Sequence, residues 1–128
     1  MSKKILAIIS TAYRATLEEQ DDTAVWMTHV LKEAGADVDV VLRGTAVNYA
    51  VKGQDASGLA FGEWRQTQPP RLDQDLAGLG GKGVRLLVCQ EDLMDRGIDP
   101  SGLIDGIEPI ARAALPRLFG SYDQIWQW

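Results

Sequence analysis

Residues 84–97 read VRLLVCQEDLMDRG, and this stretch predicts how the rest of the chain is arranged. Its first half has the apolar, leucine- and valine-rich character of a buried strand and ends at Cys89, the only cysteine in the sequence. Its second half suits a short helix, with polar residues 90–92 in the first turn and Gly97 as the residue that ends it. Cys89 is therefore expected at the point where a strand ends and a helix begins.

This position makes Cys89 the candidate catalytic residue. In open α/β sheets, ligands bind outside the carboxyl ends of the strands. A thiol at that edge meets backbone N–H groups and the positive end of a helix dipole, and both favour the thiolate. The alternative is that Cys89 is a small buried hydrophobic residue with a structural role only.

The remaining strands indicate one α/β domain over residues 1–128. Nearly continuous apolar runs are typical of central parallel strands, and a run that contains proline is restricted to a sheet edge. The strands alternate with helical segments, which favours a three-layer α/β/α sandwich with a mostly parallel sheet of about five strands. The other predicted strands cover residues 4–10, 37–42, 107–110 (the edge strand) and 124–128.

Helix boundaries follow from capping residues. The segment Thr16–Glu19 has the pattern of a capping box and predicts the start of a long helix that Gly35 ends. An inward stripe at helical spacing is expected along this helix, and it comprises Ala24, Met27, Val30, Leu31 and Ala34. Short helices are predicted at residues 45–51, capped by Thr45, at 73–79, stopped by two glycines, and at 111–119, where Pro116 weakens the pattern.

Residues 52–71 interrupt this alternation with glycines, prolines and several large apolar side chains. Such an excursion is expected to pack on itself or on a neighbouring molecule. Aromatic residues in the excursion and at the end of the sequence suit either subunit contacts or core packing within one subunit. They are Phe61, Trp64, Trp126 and Trp128.

Composition excludes several classes of function. The formal net charge is −5 and the basic residues are scattered, which argues against a nucleic-acid partner. No apolar run approaches the ~20 residues of a membrane span, and the apolar run near the start is too short for a secretory signal. A lone cysteine cannot form an internal disulfide. We therefore expect a cytoplasmic protein with a reduced thiol and no membrane association.

Candidate substrate-binding residues lie in the loops after the first two strands. Arg14 and Arg43 could present positive charge to Cys89 or to an anionic sulfur species, although each could equally be a solvated surface arginine. Ser10 and Tyr13 share the first loop, which has hydroxyl groups like a phosphate-binding loop but lacks its glycine. Flavin binding is therefore disfavoured.

No cofactor or metal is predicted. The glycine-rich run at residues 78–83 precedes a strand, so no helix start would receive a pyrophosphate there. His29 is the only histidine, whereas a zinc site normally needs more histidine or cysteine ligands. The adjacent acidic pairs lie near helix starts, where the dipole already accounts for them.

The chain resembles the DsrE/DsrF/TusD sulfur-relay superfamily. Three features carry the resemblance across nearly the whole sequence. The first is a strand, a polar loop and a long helix followed by Ala34–Val38. The second is a strand, Cys89 and a short helix followed by Arg96-Gly97-Ile98, and the third is a helix followed by Tyr122–Trp126.

The resemblance implies a five-stranded parallel sheet and homo-oligomers, either trimers or hexamers. It also implies that Cys89 carries sulfur as a persulfide between a donor protein and an acceptor protein. No second cysteine is present, so the other thiols would have to belong to those partners. The alternative is a non-catalytic binding or scaffold protein on the same fold, with a structural cysteine.

Overall fold

The computed structural model describes residues 3–13 and 22–128. Within them, five strands form one parallel sheet in the order β6-β5-β2-β1-β7. The strands of this sheet are β1 (Lys4–Ile9), β2 (Asp37–Leu42), β5 (Leu86–Cys89), β6 (Ile107–Ile110) and β7 (Gln124–Gln127). Helices cover both faces, so the prediction of a three-layer α/β/α sandwich is confirmed, as is the edge position of the proline-containing strand.

Four α-helices are present in the described part of the chain: α1 (Thr23–Glu33), α2 (Leu72–Gly81), α3 (Gln90–Asp95) and α4 (Leu115–Phe119). Short 3₁₀ helices occupy Gly44–Ala50, Pro100–Gly102 and Arg112–Ala114. Glycine does not stop α2 where the sequence suggested, because the helix continues through Gly80 and Gly81 and turns only at Gly83, where φ is +88°. The predicted helix over residues 111–119 is divided, with Pro116 in the first turn of α4, where its missing N–H is not needed.

The hydrophobic cores on the two faces of the sheet differ in size. The larger core contains alternate residues of the strands, such as Ile9, Val40 and Val88, together with side chains of α1, α2 and the first 3₁₀ helix. The smaller core lies under α4 and consists of Leu6, Ile8, Val41, Leu87, Leu115 and Leu118. A fully buried side chain of this kind stabilises the fold by roughly 2 kcal/mol, and the four strand residues of the smaller core are all buried.

The start of α1 is held by Asp22, a member of one of the acidic pairs that the sequence places near helix starts. The Asp22 carboxylate accepts hydrogen bonds from the backbone N–H groups of Ala24 and Val25, at 2.8 and 3.3 Å. The proposed capping box Thr16–Glu19 lies outside the described residues. The predicted inward stripe of α1 is confirmed at Ala24, which is buried, but it is wrong at Val30 and Ala34, which are exposed. Val25 and Thr28 are the other buried residues of the helix. Gly35 follows the helix with φ +96°, as predicted for its end.

The excursion at residues 52–71 contains a small antiparallel hairpin of β3 (Ala60–Phe61) and β4 (Trp64–Arg65). Phe61 and Trp64 stack on each other with ring centroids 5.8 Å apart, and both are exposed. Trp126 and Trp128, by contrast, pack against the larger core. Trp126 and Trp128 therefore contribute to packing within one subunit, whereas Phe61 and Trp64 lie on its surface.

The chain order places a crevice at the carboxyl edge of the sheet. The strands advance in one direction from β1 through β2 and β5 to β6, and β7 then returns to the other side of β1. In open parallel sheets, the reversal of strand order separates the loops and opens space at this edge. The residues that follow β1, β2, β5 and β6 meet there.

Candidate functional site

Cys89 is the last residue of β5 and the N-cap of α3. It lies opposite Ile110, the last residue of β6, in the parallel register. The strand-to-helix transition predicted from the sequence is therefore present. The cysteine is free, but it is fully buried, with 0% of its surface exposed. A thiol that must react with another protein has to be reachable, so the sulfur cannot be attacked in this conformation.

Asp92 organises the polar groups around the sulfur. Its side chain is only 8% exposed, and it lies one helical turn after Cys89. One carboxylate oxygen, Oδ2, accepts hydrogen bonds from Arg43 Nε at 3.0 Å and from the backbone N–H of Gly44 at 2.9 Å. The other oxygen, Oδ1, accepts a hydrogen bond from Arg112 Nη2 at 3.0 Å. Two guanidinium groups therefore share one buried carboxylate.

These contacts decide the charge of the cluster. Burial alone would raise the pKa of Asp92, but the hydrogen bonds from Gly44, Arg43 and Arg112, with a contribution from Cys89, hold that pKa well below its usual range. The hydrogen bond to Asp92 likewise raises the pKa of Arg112, and interaction with Cys89 raises it further. Asp92 is ionised and both arginines are cationic, so this carboxylate and its two guanidinium partners together carry a positive charge, which the neighbouring carboxylates of Glu91 and Asp95 offset.

Arg112 joins the cluster around Cys89 to the protein surface, because its guanidinium group interacts with Cys89 and its side chain is 48% exposed. Its backbone N–H donates to both carboxylate oxygens of Glu91, each at 3.0 Å, and its Nη2 approaches Asp95 at 3.7 Å. The segment after β6 is thereby fastened to α3, the helix that has Cys89 as its N-cap.

A cavity of about 350 Å³ opens beside this cluster, at the carboxyl ends of the central strands. Asp92 lines the cavity and also interacts with Cys89, so the sulfur lies one side chain away from open space. The other polar lining includes Ser10, Arg43, Gly44 and Gln127, with Phe119 of α4 on the apolar side. A second cavity, of about 420 Å³, lies away from the thiol and is lined by Lys52, Asp73 and Asp105, among other residues.

The four binding candidates from the sequence have different positions. Arg43 joins the site through Asp92, as described above. Ser10 lines the same cavity, and its hydroxyl donates to the carbonyl oxygen of Trp128 at 3.0 Å. Tyr13 borders a different pocket, and its backbone N–H donates to the hydroxyl of Tyr49. Arg14 lies outside the described residues.

Sequence reasoning missed Arg112 and misread Asp92. Asp92 belongs to an acidic pair, Glu91 and Asp92, that the helix dipole accounts for in the sequence, whereas in the structure it also binds two arginines. Arg112 follows the edge strand in a segment whose sequence predicts only a helix start. The parallel pairing of β5 with β6 makes the residues just after their carboxyl ends neighbours, but this pairing is a tertiary contact that no local sequence pattern indicates.

The other polar residues that were considered have structural partners. His29 contacts the carbonyl oxygen of Asp75 through Nε2 and the Lys82 ammonium group through Nδ1, each at 2.8 Å. Over residues 3–13 and 22–128, no group of three or more histidine, cysteine, aspartate or glutamate side chains is arranged to hold a metal ion. Among the same residues, no helix has the length and apolar character needed to cross a bilayer.

The sequence profile of the DsrE/DsrF-like family matches residues 3–127, which is nearly the whole chain. The chain belongs to the DsrE/DsrF-like family. Membership supports a sulfur-relay role at the level of the family, and it confirms the resemblance seen in the sequence. No functionally curated protein matches the sequence significantly.

Two solved structures share the fold of this DsrE/DsrF-like protein. The crystal structure of the YchN protein from E. coli aligns with a TM-score of 0.76 at 22% identity, covering 98% of this chain and 99% of that one. The protein of unknown function MTH1491 from Methanobacterium thermoautotrophicum aligns with a TM-score of 0.61 at 16% identity, covering 99% and 100%. At such identities the likeness establishes the fold and nothing further.

Proposed function

We propose that this protein carries sulfur as a persulfide on Cys89 and passes it to a thiol of a partner protein. The observation that supports this most strongly is the setting of the thiol. Cys89 ends a central strand beside Asp92 and Arg112, with a cavity one side chain away, whereas a structural cysteine would be expected among hydrocarbon groups. Cationic groups next to a thiol favour the thiolate, which is the nucleophilic form.

The chemistry is thiol exchange with sulfane sulfur. The Cys89 thiolate attacks the outer sulfur of a donor persulfide and forms a new S–S bond. The S–S bond of the donor breaks, and the electron pair leaves with the donor thiolate. An acceptor thiolate then attacks the outer sulfur on Cys89 and releases the Cys89 thiolate. No external oxidant or reductant is consumed, because the sulfane sulfur keeps its oxidation state at each transfer.

Both transfers require the site to open, since Cys89 is fully buried. Two polar side chains, those of Asp92 and Arg112, interact with Cys89. Arg112 is half exposed, and Asp92 keeps Arg43 and Gly44 as partners when Arg112 moves. Opening therefore requires Arg112 to exchange its hydrogen bond to Asp92 for hydrogen bonds to water.

The donor and the acceptor are separate proteins in this proposal, because Cys89 is the only cysteine. We place the reaction in the cytoplasm, where thiols stay reduced. We also propose that the protein forms a homo-oligomer, a trimer or a hexamer. The stacked and exposed pair of Phe61 and Trp64 supports this, because exposed aromatic groups are enriched at protein interfaces. Light scattering should report a mass well above 14.0 kDa, and a monomer at that mass would contradict the oligomer.

Sulfur loading tests the carrier function. The protein is incubated with a small persulfide donor, and the intact mass is measured before and after treatment with a thiol reductant. We expect the gain of one sulfur atom, its loss on reduction, and no gain in Cys89→Ser. The loaded protein should also return sulfur to an added acceptor thiol. A Cys89→Ser variant that gains sulfur like the wild type would refute the assignment to Cys89.

Full burial of the sulfur favours a second candidate, a non-catalytic binding or scaffold protein in which Cys89 only packs. The two candidates predict different alkylation behaviour. A carrier that opens transiently should react with iodoacetamide below neutral pH while still folded. A scaffold with a packed thiol should react only at the rate of global unfolding, which denaturant would increase sharply.

A further inference from the structure

The position of Arg112 is unusual for a surface arginine. Its main chain is fixed by Glu91 and its guanidinium group is bound to Asp92, so both ends of the residue are attached to the helix that begins at Cys89. The same Nη2 atom makes the contacts with Asp92 at 3.0 Å and Asp95 at 3.7 Å. A guanidinium group has five N–H donors, so this arrangement leaves capacity to bind a further anion.

Asp92 does not depend on Arg112 for its charge balance. Its Oδ2 atom is held by Arg43 and by the backbone N–H of Gly44, at 3.0 and 2.9 Å. Removing one partner from a buried pair is strongly destabilising when the other charge is left unpaired. Here a second guanidinium group remains, so Arg112 can leave Asp92 at a small cost. The three-membered cluster suits an arginine that moves between two anionic partners.

We infer that Arg112 is a positioning residue that shields Cys89 in the resting protein and binds the persulfide anion after sulfur has been loaded. This inference rests on the proposed carrier function. In the closed state Arg112 pairs with Asp92 and limits access to the sulfur. A second sulfur atom on the fully buried Cys89 needs additional space, and we expect displacement of the half-exposed Arg112 side chain to provide it.

The loading step balances with Arg112 as a spectator cation. The Cys89 thiolate forms the new S–S bond, the donor S–S bond breaks, and the donor leaves as a thiolate that takes up the proton released from Cys89. The product is a persulfide anion with its charge on the outer sulfur. A guanidinium N–H that donates to this sulfur stabilises the loaded state, since hydrogen bonds to charged groups are stronger than neutral ones.

Three variants test the role of Arg112. Arg112→Gln removes the charge, and Arg112→Lys keeps it without the planar fork. Arg85→Gln is the matched control, because Arg85 is also 48% exposed and pairs with a carboxylate, Glu108, at the opposite end of β5. Circular dichroism and thermal melting confirm that each variant is folded before it is assayed.

The first readout is the rate of Cys89 alkylation by iodoacetamide as a function of pH. We expect Arg112→Gln to react about tenfold faster than the wild type at alkaline pH, where the thiolate is fully formed and only access limits the rate. Arg112→Lys should react at a rate between those of Arg112→Gln and the wild type, and Arg85→Gln should match the wild type.

The second readout is the lifetime of the loaded persulfide against a fixed concentration of acceptor thiol. We expect it to be about tenfold shorter in Arg112→Gln, which corresponds to the loss of one charge-assisted hydrogen bond. Arg112→Lys should lie between Arg112→Gln and the wild type. If Arg112→Gln and Arg85→Gln both match the wild type in alkylation profile and in persulfide lifetime, the inference about Arg112 is overturned. A wild-type protein that takes up no sulfur, while alkylation still depends on Arg112, instead overturns the carrier function.

Discussion

The two ends of the sheet contain the same kinds of polar pairs in different environments. At the amino end, Tyr122 donates to Asp39 at 2.7 Å, and the Arg85–Glu108 pair is exposed. At the carboxyl end, Tyr49 donates to Asp22 at 2.5 Å with both residues fully buried. At the same carboxyl end, Arg112 pairs with the buried carboxylate of Asp92, whereas Arg85 at the amino end pairs with the exposed carboxylate of Glu108. The sole cysteine lies at this second end.

The comparison indicates at which end of the sheet the loss of a polar partner destabilises the protein more. An exposed ion pair contributes roughly 0 to 1 kcal/mol, because water solvates its members almost as well as they solvate each other. A buried carboxylate that loses its partners has no such substitute. The carboxyl end therefore holds its side chains in defined positions, as a reaction site requires, whereas the amino end can tolerate loss of its pairs.

The largest effect is expected for Asp92→Asn. The substitution leaves two guanidinium groups without their shared counter-charge, and we expect the free energy of unfolding to fall by about 3 kcal/mol. The matched change at the amino end, Glu108→Gln, should cost less than about 1 kcal/mol. Urea denaturation of the two variants and the wild type measures both values. Equal losses at the two ends would remove the distinction between them.

The direction of the Asp92 pKa shift determines how the stability difference between the wild type and Asp92→Asn changes with pH. Because the pKa of Asp92 is lower in the folded than in the unfolded protein, its contribution is complete above its ordinary pKa of 3.8 and is lost as the pH falls below that value. The stability gap between wild type and Asp92→Asn should therefore narrow between about pH 5 and about pH 2. A gap that widened on acidification would show that Asp92 is not ionised in the native state.

A smaller loss is expected for Tyr49→Phe. The Tyr49 hydroxyl donates to Asp22 and accepts from the backbone N–H of Tyr13, so its removal deprives a buried carboxylate and a main-chain donor of a partner. We expect destabilisation by about 2 kcal/mol, measured by chemical denaturation. A change below about 0.5 kcal/mol would indicate that water replaces the hydroxyl and that this end is more open than the structure indicates.

A smaller loss than for Tyr49→Phe is expected for Tyr122→Phe, because Tyr122 and Asp39 are only partly buried and water can replace the hydroxyl. We expect about 1 kcal/mol near neutral pH. Burial first, and the hydrogen bond to Asp39 second, raise the pKa of Tyr122 to about 12. Its contribution is thus complete below the ordinary pKa of 10.0 and is lost as the pH rises towards 12. The gap to Tyr122→Phe should close over that range, and a constant gap would contradict the assignment.

The strands of the sheet could be predicted because each one has a local sequence pattern that is typical of a strand. Runs such as Asp37–Leu42 and Ile107–Ile110 match the observed strands at both ends, and the proline in the second run correctly indicated an edge. The strand-to-helix junction at Cys89 could be predicted in the same way, since the apolar run stops there and helix-starting residues follow. Local periodicity and turn residues carry this information without knowledge of tertiary contacts.

The site itself could be predicted only in part, because its contacts join residues far apart in the chain. Arg43 was proposed from its place after a strand, but its partner Asp92 is 49 residues away. Arg112 reaches the cluster only because β6 pairs with β5, and the sequence does not show that pairing. Burial of the sulfur is likewise a tertiary property, which depends on how these loops close over the carboxyl edge.

The most direct measurement is the intact mass of the folded protein after exposure to a persulfide donor, with the same chain in denaturant as the reagent control. If Cys89 carries sulfur, the folded wild type gains one sulfur atom on Cys89 and loses it to a reductant, while folded Cys89→Ser gains none. The contradicting result is a folded wild type of unchanged mass when the denatured chain takes up sulfur readily, because Cys89 would then be a packed residue and not a carrier.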